Sequence, residues 1–132
     1  VPDRTFDADS SEVVRIAGAV AEASATFSPQ QPTASIDRAA EQMTPQRAET
    51  FKNEFATVAK DLTSRNVTAQ ASLVSAGVEA IGPSAASVAV VLHAVQNSPG
   101  SPPATSVLAL RVRLSKQDGR WLVDDLTPIH AR

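Results

Sequence analysis

The chain of 132 residues contains no cysteine and no tyrosine, and its aromatic residues are limited to four phenylalanines and one tryptophan. The absence of cysteine excludes disulfides, thiolate zinc sites and a thiol nucleophile. So few aromatic rings leave little with which to stack nucleic-acid bases, and a net charge of −2 gives no general attraction to phosphate. A nucleic-acid-binding function is therefore disfavoured, and a single domain has to fold by packing alone.

Charge is almost absent from the middle of the chain, where Glu79 is the only charged residue between positions 66 and 110. The longest apolar run in this stretch is 88–92, whereas a membrane-spanning helix needs about 20 consecutive apolar residues. Gly82-Pro83 and a proline-rich loop at 98–103 also interrupt it. These features indicate strands of a sheet and not a membrane span.

Before residue 66, apolar and small residues recur at helical spacing in three segments. Ser10 and Ser11 are the candidate N-caps of the first helix. Thr44 is the predicted N-cap of the third helix, with Pro45 at its first position. The short second helix is expected to carry on one side Ile36, Ala39, Ala40 and Met43.

From residue 66 the apolar period changes to two, which is typical of strands. The expected strands cover 67–80, 86–96, 105–116 and 121 to about 128, with a hairpin at Asp118-Gly119 before the last one. In the second strand both faces are apolar, as in a central strand that is covered on both sides.

Helices followed by hairpin-linked strands predict an α+β fold, in which three N-terminal helices pack on a curved four-stranded antiparallel sheet. A single cone-like domain is expected to cover residues 1–132. Its helices lie at about 10–65 and its sheet at about 66–128, and residues 1–9 are expected to be flexible.

Five segments carry a resemblance to a known family. They are Thr44-Pro45 leading to Phe51 and Phe55, Val74-Ser75-Ala76-Gly77-Val78, Ala86-Ser87-Val88-Ala89-Val90-Val91, Leu110-Arg111-Val112-Arg113-Leu114, and the ending Asp118 to Leu126. In this order they resemble the cone-shaped nuclear transport factor 2-like (NTF2-like) superfamily. More narrowly, residues 45–129 are similar to the extracytoplasmic domain of actinobacterial mammalian-cell-entry (Mce) associated membrane proteins.

This resemblance implies a non-enzymatic accessory domain that stabilises or assists an Mce-type importer of fatty acids or sterols. Its partners would be transporter subunits or other envelope proteins, with lipid as a further candidate and no nucleic acid. The resemblance also implies an extracytoplasmic location in the cell envelope, with a transmembrane helix upstream of Val1 as the anchor.

Two residue sets are candidate contact sites. Phe51, Phe55 and Trp121 could line an apolar cone cavity, although simple core filling is the favoured interpretation. Arg111 and Arg113, with Lys116 and Arg120 nearby, could form a basic face for acidic head groups or an acidic partner. An ordinary solvated strand face is the favoured interpretation of these basic residues.

Candidate catalytic residues are few. His93 could act as a general base with Asp124 or Asp125 as its carboxylate partner. Neighbouring strand residues point to opposite faces, so the two carboxylates are not expected to form a dyad. His93 and the C-terminal His130 lack metal-ligand spacing. The sequence thus predicts no enzyme, cofactor or metal, with a lipid carrier and an isomerase- or cyclase-type enzyme as the alternatives.

Overall fold

Three helices precede a four-stranded antiparallel sheet in this computed structural model, which describes the backbone of residues 2–129 and the side chains of residues 9–129. The strands form a meander, so that neighbours in the chain are neighbours in the sheet. The predicted fold class is confirmed, and each strand boundary lies within one residue of its expected position. The elements are α1 (Pro2–Ser24), α2 (Pro32–Ala40), α3 (Pro45–Ser64), β1 (Thr68–Ile81), β2 (Ala85–Asn97), β3 (Ala104–Gln117) and β4 (Arg120–Pro128).

The first helix begins at Pro2 and not after the candidate caps Ser10 and Ser11. No proline or glycine lies between Pro2 and Ser10, so nothing in the covalent structure stops the helix from extending towards the N-terminus. The expected flexibility of residues 1–9 stays a prediction, since residue 1 and the side chains of residues 2–8 lie outside the described part.

The third helix begins where the sequence predicted. The Thr44 hydroxyl accepts a hydrogen bond of 3.2 Å from the Arg47 N–H, and Pro45 follows at the first helical position. The second helix ends at Ala40, so Met43 does not extend its apolar side as expected. Instead, Met43 lies in a short parallel bridge with Val123 of β4.

The two segments that connect the helices pair with the two edge strands. After α1, Phe27 and Ala69 of β1 exchange backbone hydrogen bonds of 2.8 and 3.0 Å. After α2, the Thr44 N–H donates to the Val123 carbonyl and the Val123 N–H donates to the Gln42 carbonyl, both at 2.8 Å. These bonds satisfy backbone groups of the two edge strands and attach the helical segments to both edges of the sheet.

The core lies between the helices and one face of the sheet, in two clusters. The larger cluster joins α1 to the middle of the sheet and includes Val13, Ile16, Val20, Val88, Val90, Leu92, Val112, Leu114, Trp121 and Val123. The smaller cluster joins the α1–α2 connection to the end of α3 through Phe27, Ala59, Leu62 and Val67.

The opposite face of the sheet, called the outer face below, has no helix packed on it in the described part of the chain. Leu92 of β2 is fully buried under the helices, whereas the next residue, His93, is exposed on the outer face. The expectation that β2 is covered on both sides is therefore wrong. Its outer apolar residues, such as Val91 and Val95, are only half-buried.

Candidate functional site

An apolar pocket of about 420 Å³ opens at one end of the cone, between α3 and the sheet. Its wall combines Phe27, Phe55, Val58 and Leu62 with Leu108 of β3. No charged side chain is among the described residues that line it. The pocket lies where the two core clusters meet, because Leu108 packs on the larger cluster and Phe55 on the smaller one.

Small side chains leave this space open. Ala94 of β2 faces Ala71 of β1 across the ladder, whereas the next core-facing pair towards the other end is Leu92 with Leu73. A further alanine of β1, Ala69, lines the pocket beside Ala94. This pocket was not predicted from the sequence, in which its only signal is the pairing of alanines at core-facing strand positions.

The three aromatic residues proposed to line one cavity do not share it. Phe55 lines the pocket, and Phe51 stacks on it with ring centroids 5.5 Å apart at an angle of 12°. Phe27 packs against the other side of Phe55, at 5.8 Å and 58°. Trp121 is only 2% exposed and belongs to the larger core cluster, away from the pocket.

Trp121 and Lys116 form a contact on the helix side of the sheet. The Lys116 ammonium lies 5.6 Å from the centre of the Trp121 ring, within the range of a cation–π interaction. The same ammonium lies 3.7 Å from an Asp9 carboxylate oxygen on α1. Lys116 therefore does not extend a basic stripe on the outer face.

Arg111 is held by the single charged residue of the middle stretch, Glu79. Its Nε and Nη2 atoms donate to the two Glu79 carboxylate oxygens at 2.8 and 3.0 Å, and the Ser87 hydroxyl donates to the same carboxylate at 3.0 Å. These residues span β1, β2 and β3. Arg113 is exposed and is the cross-strand neighbour of Asp125. The two candidate arginines therefore differ, because the charge of Arg111 is already paired.

Because of the ion pair between Glu79 and Arg111, the stability of the fold is expected to change with pH in the acid range. Hydrogen bonds first from Arg111 and then from Ser87 hold the pKa of Glu79 below its ordinary value. A carboxyl group whose pKa is lowered by folding stabilises the folded state at pH values above its ordinary pKa. This contribution is lost as the pH falls through the pKa of the folded state.

We expect Glu79→Gln to lower the urea midpoint slightly at pH 7, and by less at an acid pH below the lowered pKa of Glu79, where its carboxyl group is protonated. The effect is small because both side chains are partly exposed. Circular dichroism during urea unfolding measures it, with Glu49→Gln on the exposed side of α3 as the control. A loss of equal size at both pH values would contradict this account of the pair.

The residues of the isomerase-type alternative are not brought together. His93 lies on the outer face, paired with Ser72 and Val107 on the adjacent strands, and not in the pocket between helices and sheet. Asp125 lies at the other end of β3, opposite Arg113, and accepts a bond of 3.5 Å from Arg47. That hypothesis required His93 inside the cavity near a carboxylate, and its geometric basis is absent.

The expected alternation of Asp124 and Asp125 along β4 is interrupted. The β3–β4 ladder shifts register there, so that Val123 and Asp125 pair with consecutive residues of β3 and Asp124 has no partner. Such a bulge breaks the strict alternation of faces. Within the described residues no group of three potential metal ligands occurs, and His130 lies outside them.

Among residues 2–129, no helix combines the length and the hydropathy needed to cross a bilayer.

No family model matches the sequence, and no curated protein matches it. Solved structures are similar in shape over nearly the whole chain. An IcmL-like type IV secretion system protein from Legionella pneumophila covers 92% of this chain and 94% of its own, with a TM-score of 0.75 and 12% identity. The periplasmic domain of DotI has the same TM-score at 10% identity and covers 92% of this chain and 95% of its own.

A third neighbour is CagV of Helicobacter pylori, described as a VirB8 homolog of a type IV secretion system. It covers 91% of this chain and 98% of its own, with a TM-score of 0.71 and 8% identity. At such identities the likeness establishes the fold and leaves the Mce association as a prediction. The chain has an NTF2-like cone fold, which it shares with these solved structures.

Proposed function

We propose that this chain is a non-enzymatic, extracytoplasmic interaction domain of a cell-envelope membrane protein. In this proposal it binds another envelope protein through the outer face of its sheet. The partner is a subunit of an Mce-type lipid importer, which the domain stabilises or assists. A transmembrane helix attaches it to the membrane, as the family resemblance implies.

The observation that carries the proposal is an apolar group on the outer face, called the outer patch. It consists of Val91, Val95, Val107 and Ala109 on the two central strands, where Val91 pairs directly with Ala109 and Val107 pairs with the exposed His93. The uncovered face of an antiparallel sheet is ordinarily polar. Here Val107 is 69% exposed, the most exposed large hydrophobic residue in the described part of the chain.

The surroundings of the outer patch suit a protein contact. Interfaces combine an apolar centre with a polar rim. On the same face, the ion pair of Glu79 and Arg111 and the exposed Arg113 lie towards one end of the strands, and Thr105 lies towards the other. Because Glu79 already pairs with Arg111, a partner would have to match the charge of Arg113 but not that of Arg111.

Two lines of likeness support the envelope setting. The segments between residues 45 and 129 resemble Mce-associated proteins, and the neighbours in shape include the periplasmic domain of DotI and type IV secretion proteins. The IcmL-like protein and CagV are described as type IV secretion proteins and the DotI domain as periplasmic, so the same fold occurs in secretion systems and in the periplasm. The choice of an Mce-type importer as the partner rests on the sequence resemblance.

Co-purification from native membranes in mild detergent tests the proposal. We expect importer subunits to be recovered with the full-length wild-type protein and with Val74→Glu, and recovery with Val107→Glu to fall by about tenfold or more, since a buried unpaired charge costs well over 1.4 kcal/mol. Val74 is a matched control because it is a similarly exposed valine, at 61%, in the bulge of edge strand β1. Both variants should keep the wild-type unfolding temperature.

Two results would overturn the proposal. Recovery that is equal for Val107→Glu and the wild type would show that the outer patch binds no partner. Recovery of secretion-system subunits in place of importer subunits would retain the interaction role and reject the Mce partner.

A further inference from the structure

We propose that the apolar pocket beside α3 binds the hydrocarbon chain of a neutral single-chain amphiphile. The pocket opens between α3 and the sheet, and Val95 of the outer patch and Thr105 of its rim also line it, whereas Val91, Val107 and Ala109 do not. Its occupancy does not depend on Val107, the residue that tests the proposed protein contact. The two ideas can therefore fail separately.

The volume and the lining of the pocket define the class of ligand. About 420 Å³ lies within the usual range for small-molecule pockets, which are mostly apolar with a few polar groups. Two aromatic rings, Phe27 and Phe55, line it together with aliphatic side chains. These surfaces offer dispersion contacts and the burial of apolar area, which are the interactions that a hydrocarbon chain can make.

The absence of charge in the described lining selects a neutral ligand. The polar groups there are uncharged, namely Gln96, Ser24, Thr105 and Ser106. A carboxylate drawn into the pocket would lose hydration without gaining a cationic partner. A hydroxyl or ester group, by contrast, can exchange water for hydrogen bonds with the serine and threonine hydroxyls or the glutamine amide.

The position of α3 accounts for the open space beside it. The helix packs mainly on α2 and β4, so its second half stands beside the other strands with little direct contact. The backbone pair between Phe27 and Ala69 fixes the opposite wall. Val58, at the rim, is 46% exposed, and a bound chain would remove this apolar surface from water.

A neutral fluorescent probe, N-phenyl-1-naphthylamine, tests the site directly. We expect its emission to rise on titration with the purified protein, and 1-dodecanol to displace it. Dodecanoate, which differs from dodecanol in its charged head group, should displace it about tenfold less effectively because its carboxylate finds no cation. Absence of probe binding would overturn the site, and equal displacement by the two competitors would overturn the neutral class.

Two substitutions locate the bound probe. Ala94→Phe fills the pocket from β2 and should abolish binding, whereas Ala56→Phe on the exposed side of α3 should not. Val58→Glu places a charge at the rim without disturbing the core and should weaken binding at least about tenfold. Val74→Glu and Val107→Glu should bind as the wild type does.

Binding that survives both Ala94→Phe and Val58→Glu would place the probe elsewhere and overturn the proposal. The proposal would also be overturned if the wild type bound no amphiphile and Val58→Glu instead prevented co-purification of the protein partner. In that case side chains of the partner, and not a lipid chain, would occupy the pocket.

Discussion

Replacing Trp121 by alanine is expected to remove about 3–5 kcal/mol from the free energy of unfolding. Trp121 is 2% exposed and is the largest side chain in the core cluster between α1 and the sheet. Alanine would leave a cavity beside Leu114 and Val123 and would also remove the contact with the Lys116 ammonium. A domain of ordinary stability has about 5–15 kcal/mol, so this loss would approach unfolding.

The matched substitution Trp121→Phe should cost much less. The indole N–H is buried without a hydrogen-bond partner among the described residues, and phenylalanine removes this unsatisfied donor while it keeps most of the apolar volume. Urea unfolding followed by far-ultraviolet circular dichroism measures both variants, since Trp121 is the only tryptophan and fluorescence would be lost with it. A cost below about 1 kcal/mol for the alanine variant would contradict the assignment of Trp121 to the core.

The second large effect is expected at Phe27, for which substitution by alanine should also cost about 3–5 kcal/mol. Phe27 is 1% exposed and anchors the smaller cluster, where it packs against the Phe55 ring. Its backbone is paired with Ala69, so the loss of its side chain would loosen the attachment of the α1–α2 connection to edge strand β1.

Phe51→Ala is the control for this prediction. It removes the same side chain from a half-buried position on α3, so its cost should be clearly smaller than that of Phe27→Ala. Thermal and urea unfolding of the two variants under identical conditions provide the comparison. Equal costs would mean that Phe27 does not anchor a core cluster.

Local signals in the sequence were sufficient where the chain itself determines the structure. Thr44-Pro45 combines a side-chain acceptor with a fixed φ, and the helix begins there as predicted. Asp118 and Gly119 both adopt a positive φ, of 52° and 78°, as a tight hairpin turn requires. Periodicity located all four strands for the same reason, because alternation follows from the pleat itself.

Tertiary features were harder to predict. The apolar outer side of β2 indicated a second covering layer, but periodicity alone cannot distinguish cover by a helix of the same chain from cover by a partner. Met43 was assigned to the side of a helix from its spacing. Its pairing with Val123 left no local signal, because the two residues lie far apart in the chain. The pocket is bounded by alanines such as Ala69 and Ala94, which fit helices, strands and cavity walls alike.

The structure separates residues that the sequence analysis grouped into candidate sites. Phe51 and Phe55 do lie together, but Trp121 belongs to a different cluster, because β4 places it at the helix-covered centre of the sheet. Arg111 was a candidate for a basic contact face, with a solvated strand face as the favoured interpretation, and in the structure it pairs with Glu79 two strands away. Sequence separation hides such a pair, since a cross-sheet contact has no fixed spacing along the chain.

The most direct test of the proposed function is site-specific photo-crosslinking in native membranes. A benzophenone amino acid at position 107, in the outer patch, should form a covalent adduct with a subunit of an Mce-type importer, identified by mass spectrometry. The same group at position 74, on the sheet edge, should give little or none. Adducts of equal yield at both positions, or no protein adduct at position 107, would contradict a protein contact through the outer face.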